Sequence, residues 1–170
     1  RAAIERHGGI VVKTEGETVM ASFATAQAGV KAAADIQGHM EDLRAAAPLG
    51  SLFHMRVGLS WGRVIREVRA GEFDFFGNTV NAAARLMKLS RDGEAMISGT
   101  AATEPGVDAL LGGAQRERAR LKGFDGDVSV IRLQPAAMPR DMTAQASLRE
   151  TARRARASIT GPESGGKRRP

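Results

Sequence analysis

The sequence predicts an α+β sandwich, a mostly antiparallel sheet with helices packed on it, and three observations carry that prediction. Segments rich in β-branched residues come in pairs joined by short polar turns. A longer stretch between the first two pairs repeats its apolar residues at helical spacing. The elements follow the order strand-strand-helix-strand-strand-helix-strand, which suits helices covering one side of an antiparallel sheet.

Taken in order, residues 1–7 read as the last turns of a helix, stopped by Gly8 and Gly9. Ile10, Val11 and Val12 suit a strand, Thr14 to Glu17 supply a turn, and residues 19–23 alternate like a returning strand, so a hairpin is expected. Thr25 can cap a helix reaching about Ala47, with Ala28, Ala32, Ile36, Met40 and Leu43 on one stripe and Pro48-Leu49-Gly50 closing it. Residues 53–59 form the next expected strand, and Gly62 to Ile65 begin another after a tight turn. Residues 71–76 read as a loop. A helix over residues 78–89 should bury Ala82, Ala83 and Leu86. Residues 95–98 suit a strand, a helical turn leads toward Gly112 and Gly113, and 116–121 with 128–133 suit a closing hairpin around 123–127. Pro135 ends the fold, which leaves one domain over residues 1–135 and a basic tail over 136–170.

Composition bounds the function. At 170 residues, 42% hydrophobic and 26% charged, the chain suits one domain with one core. No stretch approaches the roughly 18 apolar residues that a membrane span needs, and residues 1–7 lack the apolar run of a signal peptide. The chain does not start with Met, so a longer parent protein is expected. With no cysteines there are no disulfides and no thiolate metal sites, and a cytoplasmic setting is expected. The net charge of +6 sits mainly in the tail: Arg140, Arg149, Arg153, Arg154, Arg156, Lys167, Arg168 and Arg169 outweigh Asp141, Glu150 and Glu163, leaving only +1 for residues 1–135. Such a tail can touch nucleic acid or anionic lipid, but solvated disorder is the more ordinary state of such an end. The folded part has no nucleic-acid charge signature.

Two stretches carry chemistry. Lys13-Thr14-Glu15-Gly16-Glu17 places a lysine on a strand and acids toward a hairpin tip, which suits phosphate, base or metal recognition, or merely a solvated turn. In the second, Phe73-Asp74-Phe75-Phe76-Gly77 leads into a helix where Asn81 and Arg85, four apart, share a face across three alanines. Arginine offers a planar fork of donors for phosphate oxygens. The competing reading is an Asn/Arg pair on a wet surface helix, with Asp74 a loop acid. His7, His39 and His54 show no metal-ligand spacing. Trp61 suits packing, Phe75 and Phe76 suit an interface or the core, and Gly77 permits the turn into the helix.

The hairpin GGIVVKTEGETVMASF, the strand HMRVGLSWGRV, the loop and helix FDFFGNTVNAAARL and the late LKGFDGDVSVIRL together resemble, in order and spacing, class III adenylate/guanylate cyclase catalytic domains. The resemblance covers residues 1–133 and implies the ferredoxin-like sandwich of that class lacking its first strand, where the family carries a metal-binding aspartate. It also implies a shared site between two catalytic domains, as a homodimer or a heterodimer, with two magnesium or manganese ions aiding attack of the ribose 3′-oxygen on the α-phosphate. By resemblance, Lys13 and Asp74 read adenine, Asn81 orients the ribose, Arg85 meets the α-phosphate and Lys122 the terminal phosphates. Arg56 matches the phosphate-binding arginine of the opposing set. Glu17 aligns with the second metal aspartate, its extra methylene displacing the carboxylate by about 2 Å, and magnesium tolerates such displacement poorly. A lysine donor beside an aspartate acceptor complements the adenine edge, whereas guanine inverts that pattern, so ATP is expected over GTP. Three functions compete: an adenylate cyclase domain in signalling, a catalytically impaired partner completing a heterodimer, and a nucleotide-binding regulatory module. This chain alone is expected to be nearly inactive.

Overall fold

The computed structural model describes residues 1–46, 55–69, 72–112 and 114–134. The expected helix stop at Pro48-Leu49-Gly50, the start of the strand expected from residue 53, and the tail over 136–170 lie outside the described residues.

A short helix α1 (Ala2–Arg6) leads into a hairpin of β1 (Ile10–Glu15) and β2 (Thr18–Ser22), whose two-residue turn is Gly16-Glu17. Helix α2 (Ala26–Ala46) begins where Thr25 Oγ1 accepts a hydrogen bond from the Ala28 N–H at 3.1 Å, the cap that the sequence predicted. Arg6 and His7 both reach the Asp35 carboxylate and tie α1 to α2. Strand β3 (Val57–Leu59) is followed by a second hairpin of β4 (Ile65–Arg69) and β5 (Glu72–Phe76), then by helix α3 (Asn78–Leu89). Strand β6 (Ala95–Ser98), a short helix α4 (Gly99–Ala102), a 3-10 turn over Asp108–Leu111, and the hairpin of β7 (Gln115–Arg120) and β8 (Asp127–Leu133) complete the fold.

The central sheet has the order β3-β6-β8-β7. Among the described residues only β3 and β6 run parallel, joined by a crossover through α3; β6 with β8 and β8 with β7 are antiparallel. The β1-β2 and β4-β5 hairpins form separate two-stranded sheets, both antiparallel.

Every residue of the run Ala95-Met96-Ile97 is fully buried, so β6 is covered on both faces. Ala95 and Ile97 join Ile131, Leu133, Val30, Ala33, Val107 and Leu111 in one cluster beneath α2 and α4. Met96 points the other way and joins Leu86 of α3, Leu121 and Val130. The helices therefore lie on both faces of the central sheet, and the expectation of one covered side does not hold. The cause is the alternation of side chains along a strand whose residues are all apolar.

Two further readings change. Residues 72–76, read as a loop, form β5, paired with β4 through Glu67↔Asp74 and Val68↔Phe73. Phe73, Phe75 and Phe76 suit a half-buried pleated surface, and that outweighs the turn signal of Gly71. On α2 the buried face is Ala26, Gly29, Val30, Ala33 and Gln37, with Ala32 alone retained from the predicted stripe and Leu43 36% exposed. Small residues win because the helix lies close to the sheet: a Cβ on Gly29 would stand 2.7 Å from Leu59 Cδ1.

The same closeness fixes α3. A Cβ on Gly58 of β3 would lie 2.1 Å from the Ala83 carbonyl oxygen and 2.3 Å from the Met87 nitrogen. The alanines of α3 thus admit the protein's own sheet. Ala82 and Leu86 are buried as expected, while Ala83 is partly exposed.

Candidate active site

Lys13 and Asp74 stand 61 residues apart in sequence, on β1 and β5, and meet directly. A bulge at Val12, where the pairing register shifts between Val11 and Lys13, re-aims the strand just before the lysine. Lys13 Nζ donates to Asp74 Oδ2 at 2.8 Å and contacts Glu15 Oε1 at 3.0 Å. The other Asp74 oxygen, Oδ1, accepts the Phe75 N–H at 2.7 Å.

The hydrogen bond from Lys13 holds the Asp74 carboxyl below its ordinary range, against a smaller opposing effect of desolvation. The same bond, followed by the one to Glu15, raises Lys13 above the ordinary lysine value. Both groups are therefore charged at neutral pH. Their side chains are 38% and 28% exposed, so the pair adds little to folding and its significance is placement. One ammonium proton remains beyond the two acids, beside a carboxylate with spare lone pairs. A donor next to an acceptor, partly open to solvent, can read a flat heterocycle that presents an acceptor next to an amino group.

From Asp74 the chain passes through Phe75, Phe76 and Gly77 into α3. Gly77 holds φ at 117°, which only glycine adopts without strain, and it turns the strand into the helix. Thr79 Oγ1 donates to the Arg63 carbonyl at 2.7 Å and anchors the start of α3. One turn further on, Asn81 is exposed and Arg85 partly buried, on the same side of the helix. The Arg85 guanidinium lies over the Phe124 ring, 5.1 Å from its centroid. Phe124 belongs to the loop joining β7 to β8, which also carries Lys122, exposed. The fold thus gathers Lys13 with Asp74, and Arg85 with the Lys122 loop, while the Gly77 turn joins the two groups along the chain.

Glu17 and Arg56 are not drawn into these groups. Glu17 is exposed at the β1-β2 turn, Arg56 is exposed just ahead of β3, and among the described residues neither makes a hydrogen bond or ion pair. No three carboxylate, histidine or thiol groups among the described residues stand close enough to hold a metal. Glu17 offers one hard oxygen ligand, and these residues alone do not fit a two-ion centre.

Two contacts escaped the sequence reading. Glu15 follows Lys13 by two strand positions, and that spacing places both on one face, so the signal was present. Phe124 had no such signal, because only the packing of α3 brings it beneath Arg85.

Known proteins supply the frame for this geometry. The family model described as the adenylate and guanylate cyclase catalytic domain matches residues 1–128. An uncharacterised protein of Mycobacterium tuberculosis is 32% identical over 139 residues, covering 81% of this chain and 33% of that protein. An adenylate cyclase of Glutamicibacter nicotianae is 32% identical over 127 residues, covering 74% of this chain and 28% of that one. The chain thus spans about a third of the length of the curated relatives it matches. Among solved structures, an adenylate/guanylate cyclase/hydrolase from Silicibacter pomeroyi superposes with a TM-score of 0.68 at 29% identity, covering 79% of this chain and 76% of that one. No helix among the described residues is long and apolar enough to cross a membrane.

Proposed function

We propose, since this chain belongs to the adenylate and guanylate cyclase catalytic-domain family, that residues 1–135 form an adenylate cyclase domain. It converts ATP to 3′,5′-cyclic AMP and pyrophosphate at an interface with a second cyclase domain, in intracellular signalling. The observation that supports ATP as substrate is the Lys13–Asp74 pair. Lysine donates to the adenine ring nitrogen and aspartate accepts from the exocyclic amino group, whereas guanine would set like against like at both positions.

In the reaction, the ribose 3′-oxygen bonds to the α-phosphorus, the bond from that phosphorus to the pyrophosphate oxygen breaks, and the hydroxyl proton leaves to solvent. Asn81 orients the ribose. Arg85 meets the charge that builds on the α-phosphoryl oxygens, and Lys122 binds the terminal phosphates. Arg56 contributes to phosphate binding from the opposing side of the shared site, and Glu17 would offer one carboxylate oxygen to a magnesium or manganese ion, which would neutralise phosphate charge there. The test mixes the full chain with a cyclase domain that carries both metal aspartates but lacks its own asparagine and arginine. Cyclic AMP should form from ATP with manganese, and Arg85→Ala should abolish it. No product from the wild-type mixture defeats the proposal.

A second reading rests on Glu17, which stands exposed and unpartnered among the described residues where the family reads aspartate. On that reading the chain is an impaired cyclase-like partner that completes a heterodimer. Activity in the mixture and none from the chain by itself favours it, and Glu17→Asp should then leave the mixture's yield unchanged, because the partner supplies the metal ligands of the working site.

A further inference from the structure

Most arginines with described polar contacts spend their N–H groups on carboxylates or carbonyl oxygens. Arg132 lies between Glu94 and Glu117, Arg6 reaches Asp35, Arg116 reaches Asp108, and Arg118 donates to the Asp127 carbonyl. Arg85 differs. Among the described residues its guanidinium makes no hydrogen bond or ion pair, and it lies instead over the Phe124 ring. A cation held over an aromatic ring in this way keeps its N–H donors available, and among the described residues none of them is taken.

The ring beneath is firmly seated. Phe124 packs against the cluster of Leu86, Met96, Leu121 and Val130, and Leu86 is the next residue after Arg85 on α3. The same cluster therefore fixes both the helix that bears the arginine and the ring that supports it. Gly123 completes the seat. A Cβ there would stand 3.3 Å from Arg85 Nη2 and 3.6 Å from Nη1, and the backbone holds φ at 74°, a conformation that disfavours every residue with a side chain.

We infer that Phe124 is a positioning residue for Arg85: its ring holds the guanidinium in place while the N–H donors stay available to an anionic ligand. Gly123 leaves room for the fork, and the loop that presents Lys122 is thereby set in register with Arg85. The catalytic consequence rests on the proposed role of Arg85 at the α-phosphate. The placement itself does not.

Two measurements on the full chain separate these. In wild type, the Arg85 side-chain protons, assigned by their loss in Arg85→Lys, should resonate upfield of ordinary arginine positions because of the ring current. Phe124→Leu, which keeps an apolar side chain on the cluster, should return them to ordinary positions with the fold retained by circular dichroism, and Phe124→Trp should restore the shift. In the mixture with a metal-bearing partner, Phe124→Leu should lower kcat roughly three- to thirtyfold with KM nearly unchanged, and Phe124→Trp should recover most of it. Unshifted Arg85 protons in wild type overturn the inference, as does Phe124→Leu turnover equal to wild type. If the wild-type mixture makes no cyclic AMP, the cyclase reading fails, and the resonance shift alone then decides for or against Phe124.

Discussion

Replacing Gly58 by alanine perturbs the placement of α3, on which both Asn81 and Arg85 depend. The new Cβ would stand 2.1 Å from the Ala83 carbonyl oxygen and 2.3 Å from the Met87 nitrogen. Both neighbours are backbone atoms of the helix, so no rotamer change relieves the contact. Reaching ordinary van der Waals separation requires α3 to retreat by about 1 Å from the sheet. Overpacking of this kind costs about 1–3 kcal/mol, and backbone partners put this case near the upper end. For a domain of this size each kcal/mol lowers the melting temperature by about 3–4 °C, so a loss of roughly 10 °C is expected by circular dichroism. On the proposed roles of Asn81 and Arg85, the same retreat of about 1 Å should lower turnover in the mixture with a metal-bearing partner about a hundredfold. Both effects should appear together, at a temperature where the variant remains folded. A Gly58→Ala protein that melts within about 1 °C of wild type refutes the reasoning, because α3 would then not rest on β3 as described.

Other expectations follow from the same contacts. Glu94, 6% exposed, accepts from the Arg91 N–H and pairs with Arg132; Glu94→Ala leaves that guanidinium with Glu117 alone and should cost about 1.5–3 kcal/mol in urea unfolding. Leu86 is fully buried at the centre of the cluster under α3, and Leu86→Ala should cost about 2–5 kcal/mol by the same measurement. The Asp74 carboxyl should titrate below the ordinary aspartate value by carbon NMR and move back toward it in Lys13→Gln, since the lysine hydrogen bond is the leading cause of its depression. A depressed carboxylate stabilises the fold above its ordinary value, and that contribution is lost as pH falls through the lowered one. Lys13 has the opposite sign: its contribution is complete below the ordinary lysine value and fades as pH rises through the raised one.

Much of this fold was legible because local signals agreed with the tertiary result. The cap at Thr25, the hairpin of β1 and β2, the full extent of α3 and the closing hairpin of β7 and β8 each have a sequence signature that survives packing. The failures share a cause. The buried face of α2 was chosen by closeness of approach, and Ala26, Gly29 and Ala33 admit the sheet where the larger Ile36 and Met40 do not. The strand nature of residues 72–76 depended on a pairing with β4 that alternation alone did not signal. Of the candidate site, the meeting of Lys13 with Asp74 was anticipated only through the family resemblance, because nothing local links residues 61 positions apart. Glu15 was readable from strand periodicity. The bulge at Val12 and the shelf of Phe124 were not, since both arise from contacts between elements.

The central claim is that Lys13 and Asp74 read the adenine edge, and competitive binding of ATP and GTP to the full chain and to Lys13→Glu tests it most directly. Wild type should prefer ATP by about tenfold or more, and the charge reversal should abolish or invert that preference. Equal affinity for both nucleotides in wild type, or an undiminished ATP preference in Lys13→Glu, contradicts it.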